Sequence, residues 1–292
     1  MPERFTTRLT RRRFLQLAGA SSAGLLAYAG EFERHHLEIT HRTVTLARLS
    51  PALDGLRIAQ LSDLHYEQYT EPYFIREVVA QVNRQAPDLV LMTGDFISEG
   101  PESGWRDAEM SFPCAETLAG IDCKERWCVL GNHDATVGPE IVTNALESHG
   151  HRVLANAHVP FERGGARLWL AGVKDVGVSA PDLNLAAPRG LQSAHEPVIL
   201  MAHEPDYADR VVQYGGVDLM LSGHTHGGQI RLPMIGPLYL PKLGRKYVEG
   251  LFSLGNGLQL YVNRGIGSVG VPFRFYCRPE LTMITLRSGQ TA

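Results

Sequence analysis

The sequence is short of cysteine, of excess charge and of long apolar runs. Its four cysteines form no C-x-x-C pair, so their spacing indicates neither a zinc site nor a disulfide framework. A formal net charge of −3 argues against nucleic acid as a charge-driven partner. No apolar run reaches the ~20 residues of a secure membrane span. Cys128 lies within an apolar run and is predicted to be a buried thiol.

The composition that remains is typical of a globular protein with a sizeable core. Of the 292 residues, 44% are apolar and 20% are charged. A chain of this length can hold one large domain or two small ones. Because no linker-like segment is visible after the first 29 residues, we predict one domain over residues 30–292.

The N-terminal segment has the features of an export signal. A twin arginine, Arg11 and Arg12, precedes Phe14 and Leu15, and a stretch rich in Ala, Gly and Ser follows. The sequence Ala27-Tyr28-Ala29 fits a small-x-small cleavage site. Residues 1–29 therefore resemble a twin-arginine (Tat) export signal. This predicts the Tat machinery as a partner and the periplasm or cell envelope, with peripheral membrane contact, as the location.

Two alternatives for this segment stay open. It could instead be a basic amphipathic helix that lies on the domain, although residues 17–29 have no polar face. If it is an export signal, it could be cleaved or could remain as an anchor.

Apolar runs alternate with helical patterns along the chain. Runs buried on both faces predict strands at residues 57–61, 89–92, 127–130, 198–201 and 217–221. Apolar residues at helical spacing predict helices at residues 74–82, 115–121, 141–149 and 207–212. We expect edge strands within residues 31–49, a loop over residues 98–113, a hairpin over residues 161–173 that turns at Gly164-Gly165, and irregular structure over residues 174–194. The fold class is therefore α/β, and the hairpin-like strands of the second half favour two sheets over one.

Each of the five predicted strands ends at a side chain that can bind a metal. These side chains are Asp63 and His65, Asp95, Asn132, His203, and His224 with His226. Because α/β folds place their sites at the carboxyl ends of strands, we expect them to meet along one sheet edge. Imidazole, carboxylate and amide ligands together suit Mn, Fe, Zn or Co rather than Ca.

Each motif alone has a simpler interpretation. The sequence Gly131-Asn132-His133-Asp134 could be only a turn, since Gly, Asn and Asp favour turns. A single buried histidine is more often a core residue than a ligand. Five such motifs in order, each at a strand end, favour the metal site. Within it, His133 could transfer a proton near neutral pH, and Asp134 could fix the tautomer of its imidazole.

These motifs resemble the signature of the calcineurin-like metallophosphoesterases, which runs D-x-H, G-D, G-N-H-D/E, H and G-H-x-H. The resemblance extends from residue 57 to about residue 286, and the segments around Asn263, Arg264, Arg274 and Glu280 are similar to an exported branch of YkuE and YaeI type. It implies two mixed β-sheets packed face to face and flanked by helices, an αββα sandwich.

The resemblance also implies a role for each site residue. Two divalent ions (Mn, Fe or Zn) would bind per chain: the first to Asp63, His65 and His226, the second to Asn132, His203 and His224, with Asp95 bridging them. His133 would act as a catalytic residue that does not bind metal, oriented by Asp134. Many relatives carry Asp or Asn where this chain has Ser98, so the support of the loop after Asp95 differs here.

The implied function is metal-dependent hydrolysis of a phosphoester, for which no serine or cysteine nucleophile is needed. We expect a phosphodiester or pyrophosphate in an envelope or lipid-linked substrate. The alternatives are a soluble phosphomonoester or nucleotide, and a non-catalytic scaffold of the same fold. Residues 232–241 are apolar and interrupted by proline. They are either a loop packed over the second sheet or an apolar lip beside the metals, in which Met234, Ile235, Leu238 and Tyr239 touch lipid.

Overall fold

The computed structural model describes residues 10–67, 69–99, 105–191 and 196–289. The first half contains helices and strands in the order α1 (Arg11–Ala27), β1 (Glu38–Leu46), β2 (Arg57–Leu61), α2 (Pro72–Gln85), β3 (Leu89–Met92), α3 (Trp105–Glu109), α4 (Ser111–Leu118), β4 (Arg126–Cys128), α5 (Asn132–Val137) and α6 (Pro139–Ser148). The second half continues with β5 (Arg152–Val153), β6 (Ala157–Arg163), β7 (Ala166–Gly172), α7 (Leu183–Ala186), β8 (Val198–Met201), α8 (Ala208–Tyr214), β9 (Leu219–Ser222), β10 (Arg231–Leu232), β11 (Gly236–Pro237), β12 (Gly250–Ser253), β13 (Gln259–Val262) and β14 (Glu280–Ser288).

The described strands form two six-stranded mixed sheets and a small ladder of β10 with β11. The first sheet has the order β1-β14-β2-β3-β4-β5, in which only β14 and β2 pair antiparallel. The second has the order β12-β13-β9-β8-β7-β6, with antiparallel pairs at both edges. The strand β1 lies at a sheet edge, as predicted.

Strand β3 explains how the layers pack. Its side chains alternate between two faces: Leu89 and Leu91 belong to the core between the sheets, whereas Val90 and Met92 face the core beneath α2, α4 and α6. A third core lies between the second sheet and α7 and α8. The predicted arrangement of two face-to-face mixed sheets flanked by helices is therefore confirmed.

Most predicted elements have the expected place, but the loop over residues 98–113 was only partly right. Residues 100–104 lie outside the described residues, and α3 and the first half of α4 fill the rest of that stretch. Ala108 and Ser111 are buried there, and Pro113 stands in the first turn of α4, where a missing N–H costs no hydrogen bond. Within the irregular segment 174–194, α7 and one 3₁₀ turn (Arg189–Leu191) form, and residues 192–194 are not described.

The N-terminal helix α1 stands apart from this sandwich. None of its residues is buried, so it does not lie on the domain along its length as an amphipathic helix would. None of the helices in the described part of the chain is long and apolar enough to cross a membrane. All four cysteines are free thiols, and Cys128 is buried as predicted.

Candidate dinuclear metal site

The loops that follow β2, β3, β4, β8 and β9 converge at one edge of the two sheets. The parallel register of β2, β3 and β4 places Leu61 beside Met92 and Met92 beside Cys128, so their loops leave the sheet side by side. In the second sheet, Met201 and Leu221 are paired in the same way. The seven predicted metal ligands follow these strand ends, and the fold brings them together.

The first group of ligand atoms belongs to Asp63, His65 and His226. These three residues are buried, and one ligand atom from each lies within 4.8 Å of the others. The Nε2 atoms of His65 and His226 are 3.1 Å apart, and His226 Nε2 lies 3.3 Å from Asp63 Oδ1. A cation between these three atoms would meet one carboxylate and two imidazoles, as predicted for the first ion.

The second group is formed by Asp95, His203 and His224, whose ligand atoms also lie within 4.8 Å of one another. Asn132 lines the same cavity as Asp95 and His224. Its Oδ1 atom is buried and accepts no hydrogen bond from the described residues. A buried carbonyl oxygen without a donor costs free energy, and a cation beside it would remove that cost. The orphaned oxygen therefore fits the predicted second ion.

Asp95 lies between the two groups. Its Oδ2 atom is 3.0 Å from His203 Nε2 and 3.8 Å from His65 Nε2. Its Oδ1 atom accepts a hydrogen bond of 2.9 Å from the backbone N–H of His133. The resemblance implied that this carboxylate bridges the two ions. In the structure the backbone occupies Oδ1, so a single oxygen, Oδ2, faces both groups.

Hydrogen bonds fix which ring nitrogen of each histidine faces the site. His203 Nδ1 lies 2.6 Å from the carbonyl of Thr93, and His224 Nε2 lies 2.7 Å from the carbonyl of Lys242. Since a carbonyl only accepts, these nitrogens carry the proton. This leaves His203 Nε2 and His224 Nδ1 unprotonated in the neutral ring, ready to bind metal.

Burial keeps most of these imidazoles neutral. It lowers the pKa of His65 to about 3 and that of His224 to about 4, with the neighbouring histidines acting in the same direction. His203 is different: burial alone would lower its pKa, but the carboxylates of Asp95 and Asp63 hold it well above its usual value. Burial also raises the pKa of Asp63 to about 6. Because cations repel a proton, bound metal would favour the deprotonated form of each ligand.

Five of the seven predicted ligands have a left-handed backbone. The φ angles are 53° at Asp63, 46° at His65, 55° at Asp95, 71° at His224 and 51° at His226. Residues other than glycine rarely adopt this region, and such strain clusters at functional sites. The strand ends thus turn sharply enough to point successive side chains at one centre, and the surrounding packing holds them there.

His133 lies beside the ligands with its proton directed by the backbone. Its Nδ1 accepts a hydrogen bond of 3.1 Å from the N–H of Glu99, so a neutral ring carries its proton on Nε2. The ring packs edge-on against His65, with centroids 4.9 Å apart, and His133 lines the cavity at the site. His133 therefore presents a proton donor to a molecule bound in that cavity.

Asp134 does not orient His133 as the sequence suggested. Its Oδ1 accepts from the N–H groups of Phe96 and Ile97, and its Oδ2 accepts from the N–H of Gly131. Adjacent residues on a helix do not face each other, and both residues lie in the first turn of α5. Asp134 instead ties the loop after β3 to the loop after β4, and the Glu99 N–H takes the role expected of its carboxylate.

Ser98 supports a ligand directly. Its hydroxyl lies 2.9 Å from Nδ1 of His65, so the position where many relatives carry Asp or Asn still contacts this imidazole. Sequence reasoning singled out this position but could not assign the contact. The carbonyls of Thr93 and Lys242 had no sequence signal at all, since every residue type carries a carbonyl.

Arg274 is a further supporting residue that the sequence motif contained without a role. It is buried, and its guanidinium donates to the carbonyls of Gly265, Gly267 and Cys277. Its Nη2 lies 3.3 Å from Nδ1 of His226. The N–H of Gly267 in turn donates to the carbonyl of Asp63. Arg274 thus fastens the C-terminal loops to the chain that carries the first metal group.

A cavity of ≈ 390 Å³ opens beside the ligands. Its polar side includes Asp95, Asn132, His133, His224 and His226. Its apolar wall consists of Ile230, Leu238, Tyr239, Pro241, Val269 and Val271, and Thr225 and Gln229 also line the cavity. The side chains of the predicted lip are exposed. Their relative solvent-accessible areas are 106% for Met234, 71% for Ile235, 58% for Leu238 and 74% for Tyr239. They therefore do not pack over the second sheet.

Known proteins are similar to this chain over most of its length. The model of the calcineurin-like phosphoesterase family matches residues 56–228. The chain is 33% identical over 290 residues to the metallophosphoesterase YkuE of Bacillus subtilis, and the alignment covers 96% of this chain and 99% of that protein. It is 32% identical over 289 residues to the phosphodiesterase YaeI of Escherichia coli, at 95% and 99% coverage. A solved structure of a dimetal phosphatase from Danio rerio aligns with 80% of this chain and 99% of that chain at 14% identity, with a TM-score of 0.47.

Proposed function

The chain belongs to the calcineurin-like phosphoesterase family and is a metal-dependent phosphoesterase, and from this premise we propose that it cleaves a phosphodiester or pyrophosphate bond of a lipid-linked substrate in the cell envelope. The related YaeI is called a phosphodiesterase, which supports a diester as the bond that is cleaved. The apolar wall beside the ligands supports a lipid as the rest of the substrate.

The site is proposed to hold two divalent ions, of Mn, Fe or Zn. Such a pair supplies a deprotonated water at neutral pH and neutralises charge on the phosphoryl group. Asp63, His65 and His226 would hold one ion, and Asn132, His203 and His224 the other, with Asp95 Oδ2 between them. The orphaned Oδ1 of Asn132 and the carbonyl-fixed rings of His203 and His224 support this assignment.

His133 is proposed to donate a hydrogen bond from its Nε2–H to the leaving oxygen. Its Nδ1 accepts the Glu99 N–H, and the other tautomer would lose that hydrogen bond. A diester or pyrophosphate needs such a donor because the departing oxygen gains negative charge.

The observation that carries the lipid proposal is the composition of the cavity. The candidate ligands and a group of apolar side chains, among them Leu238 and Tyr239, line the same cavity. The same loop exposes Met234 and Ile235 outside the cavity. Exposed apolar patches of this kind mark binding or membrane surfaces. An acyl chain could lie along this wall while the phosphate reaches the ligands.

The test replaces Ile235 and Leu238 together with serine. We expect vesicle binding and hydrolysis of a lipid phosphodiester to fall by about tenfold or more, since each buried apolar side chain contributes roughly 1.5–3 kcal/mol. Hydrolysis of bis-p-nitrophenyl phosphate should stay near the wild-type rate. The matched control replaces Val178 and Leu185, which are similarly exposed but lie outside the cavity.

Equal loss of rate on both substrates, or a lower melting temperature in the lip variant alone, would make the lip structural and refute the lipid proposal. Preference for p-nitrophenyl phosphate or a nucleotide over both diesters would favour the second candidate, a phosphatase acting on soluble monoesters. The polar side chains of the cavity would suit that candidate equally well, so substrate preference and the effect of the lip distinguish the two.

We also propose that the protein is exported folded by the Tat route to the periplasm or cell envelope. The twin arginine Arg11-Arg12 lies at the exposed start of α1, where a receptor can reach it. Replacing both arginines with lysine should leave the protein in the cytoplasm, as judged by cell fractionation. Normal delivery of the double variant to the envelope would refute this route.

A further inference from the structure

The segment that follows α1 is built into the catalytic domain. We call residues 28–36 the docking segment. Ala29 and Glu33 within it are buried. The carbonyl of Ala29 accepts a hydrogen bond of 3.1 Å from the N–H of Arg274, and Glu33 Oε1 accepts one of 3.0 Å from the N–H of Cys277. Both bonds reach the C-terminal loop that fastens the first metal group.

A buried arginine clamps the same segment to the loop that precedes α2. The guanidinium of Arg34 donates to Glu71 Oε1 at 2.5 Å, to the carbonyl of Tyr69 at 2.6 Å and to the carbonyl of Gly30. His35 Nε2 lies 2.8 Å from Glu71 Oε2. Glu71 immediately precedes α2, so this clamp joins the docking segment to a helix of the core.

The small-x-small site lies at the start of this docked structure. Cleavage after Ala29 would cut the bond to Gly30, and both residues are buried within one continuous turn over Tyr28–Phe32. A β-carbon on Gly30 would lie 3.0 Å from the Phe273 ring, which shows how closely the domain packs there. Proteolysis needs exposed, locally unfolded chain, so a folded protein protects this bond.

The helix α1 exposes apolar side chains that no described part of the chain covers. Phe14, Leu15, Leu17, Leu25 and Leu26 are each more than half exposed. Arg11, Arg12 and Arg13 at its start are also exposed, and basic side chains are attracted to anionic lipid surfaces. A helix that exposes these apolar side chains next to a basic end, and that no described part of the chain covers, fits the surface of a lipid bilayer.

The position of α1 relative to the lip supports the same occupant. Tyr28, directly after α1, packs edge-on against Phe275, with ring centroids 6.5 Å apart. The N–H of Phe275 donates to the carbonyl of Gln229, and its carbonyl accepts from the N–H of Arg231, where the lip begins. The helix and the lip of the metal cavity are thus joined through one segment of backbone.

We infer that α1 is not removed after export but stays attached to the domain. The docking segment holds α1 so that the lipid bilayer contacts both this helix and the lip of the metal cavity. This inference rests on the proposed export and lipid substrate. It adds that the folded domain itself protects the cleavage site, because export of folded protein delivers the docking segment already packed.

The test uses the full chain with a C-terminal tag, expressed in a Tat-competent bacterium. Intact mass of the protein isolated from the envelope should include residues 1–29, and the protein should remain with membranes after a high-salt wash. The variant Arg34→Ala, which opens the clamp, should appear shortened by residues 1–29 and released from membranes. The control Arg287→Ala removes an exposed ion pair with Asp54 and should behave as the wild type.

If the wild-type protein isolated from the envelope begins at Gly30, the inference is overturned. That result could occur with full activity on a lipid phosphodiester, so it would not by itself overturn the proposed function. Intact protein that washes free of membranes would overturn the inference as well. Should Arg34→Ala not accumulate, hydrogen exchange on the wild-type protein decides. Backbone amides of residues 29–36 protected as strongly as those of α2 support the docking, and unprotected amides refute it.

Discussion

Replacing His133 with alanine should abolish most of the turnover and leave both metal ions in place. The two effects separate because the His133 backbone N–H, and not its side chain, holds Asp95 Oδ1. Alanine keeps that N–H, so Asp95 Oδ2 stays between the two ligand groups. What is lost is the imidazole that presents an Nε2 proton to the cavity.

The expected loss of kcat is about 10²–10³-fold, the usual effect of removing one hydrogen-bond donor directed at developing charge. This corresponds to about 3–4 kcal/mol of transition-state stabilisation. The assay measures kcat on bis-p-nitrophenyl phosphate together with metal content per chain by mass spectrometry. His158→Ala serves as a control histidine remote from the cavity, and Asn132→Ala as a neighbour that should lose one ion. Loss of an ion in the His133 variant, or a rate near that of the wild type, would refute the reasoning.

Three further outcomes are expected. Asp95→Asn should lose both ions and should lose more activity than His65→Ala, because a bridging carboxylate offsets the repulsion between two cations. If each variant instead loses one ion, Asp95 does not bridge the two ions. Dialysis against a chelator should lower the melting temperature by several degrees, because the buried carboxylates of Asp63 and Asp95 lose their cations. Adding Mn²⁺ or Zn²⁺ should restore it. An unchanged melting temperature would show that the protein itself neutralises the two carboxylates. Burial lowers the pKa of His151 from 6.5 to about 4. Between these two pH values the unfolded chain binds a proton that the folded protein excludes. The free energy of unfolding should therefore fall as the pH drops from 6.5 to 4. His151→Gln should flatten that fall by up to about 3 kcal/mol in urea unfolding, and identical slopes would show that His151 is not its cause.

The convergence of the candidate ligands was predictable because its signal is periodic and local. Apolar runs such as residues 89–92 are typical of strands buried on both faces, and parallel strands in neighbouring positions release their loops at a shared edge. The polar residues after each run therefore had to converge. The same reasoning could not predict the left-handed backbone at residues such as Asp63 and His226, because the enrichment of Asp and His in that region is too weak to single out positions.

The sequence did not predict contacts that depend on the direction in which a side chain points or on backbone atoms. Asp134 was paired with His133 because the two are adjacent, but a helix turns neighbouring side chains apart, and α5 begins at Asn132. The carbonyls that fix His203 and His224 belong to residues that could be of any type. The segment before Pro113 was taken for a loop because it is polar and rich in glycine and proline, whereas proline is tolerated in the first turn of a helix.

Anomalous diffraction from crystals of the manganese-loaded protein tests the dinuclear site most directly. The account predicts two peaks per chain, roughly 3.5–4 Å apart as in other two-metal sites. Asp95 Oδ2 should contact both ions, Asn132 Oδ1 only the second, and the imidazole of His133 neither. A single ion, or an ion bound by His133 in place of Asn132, would contradict it.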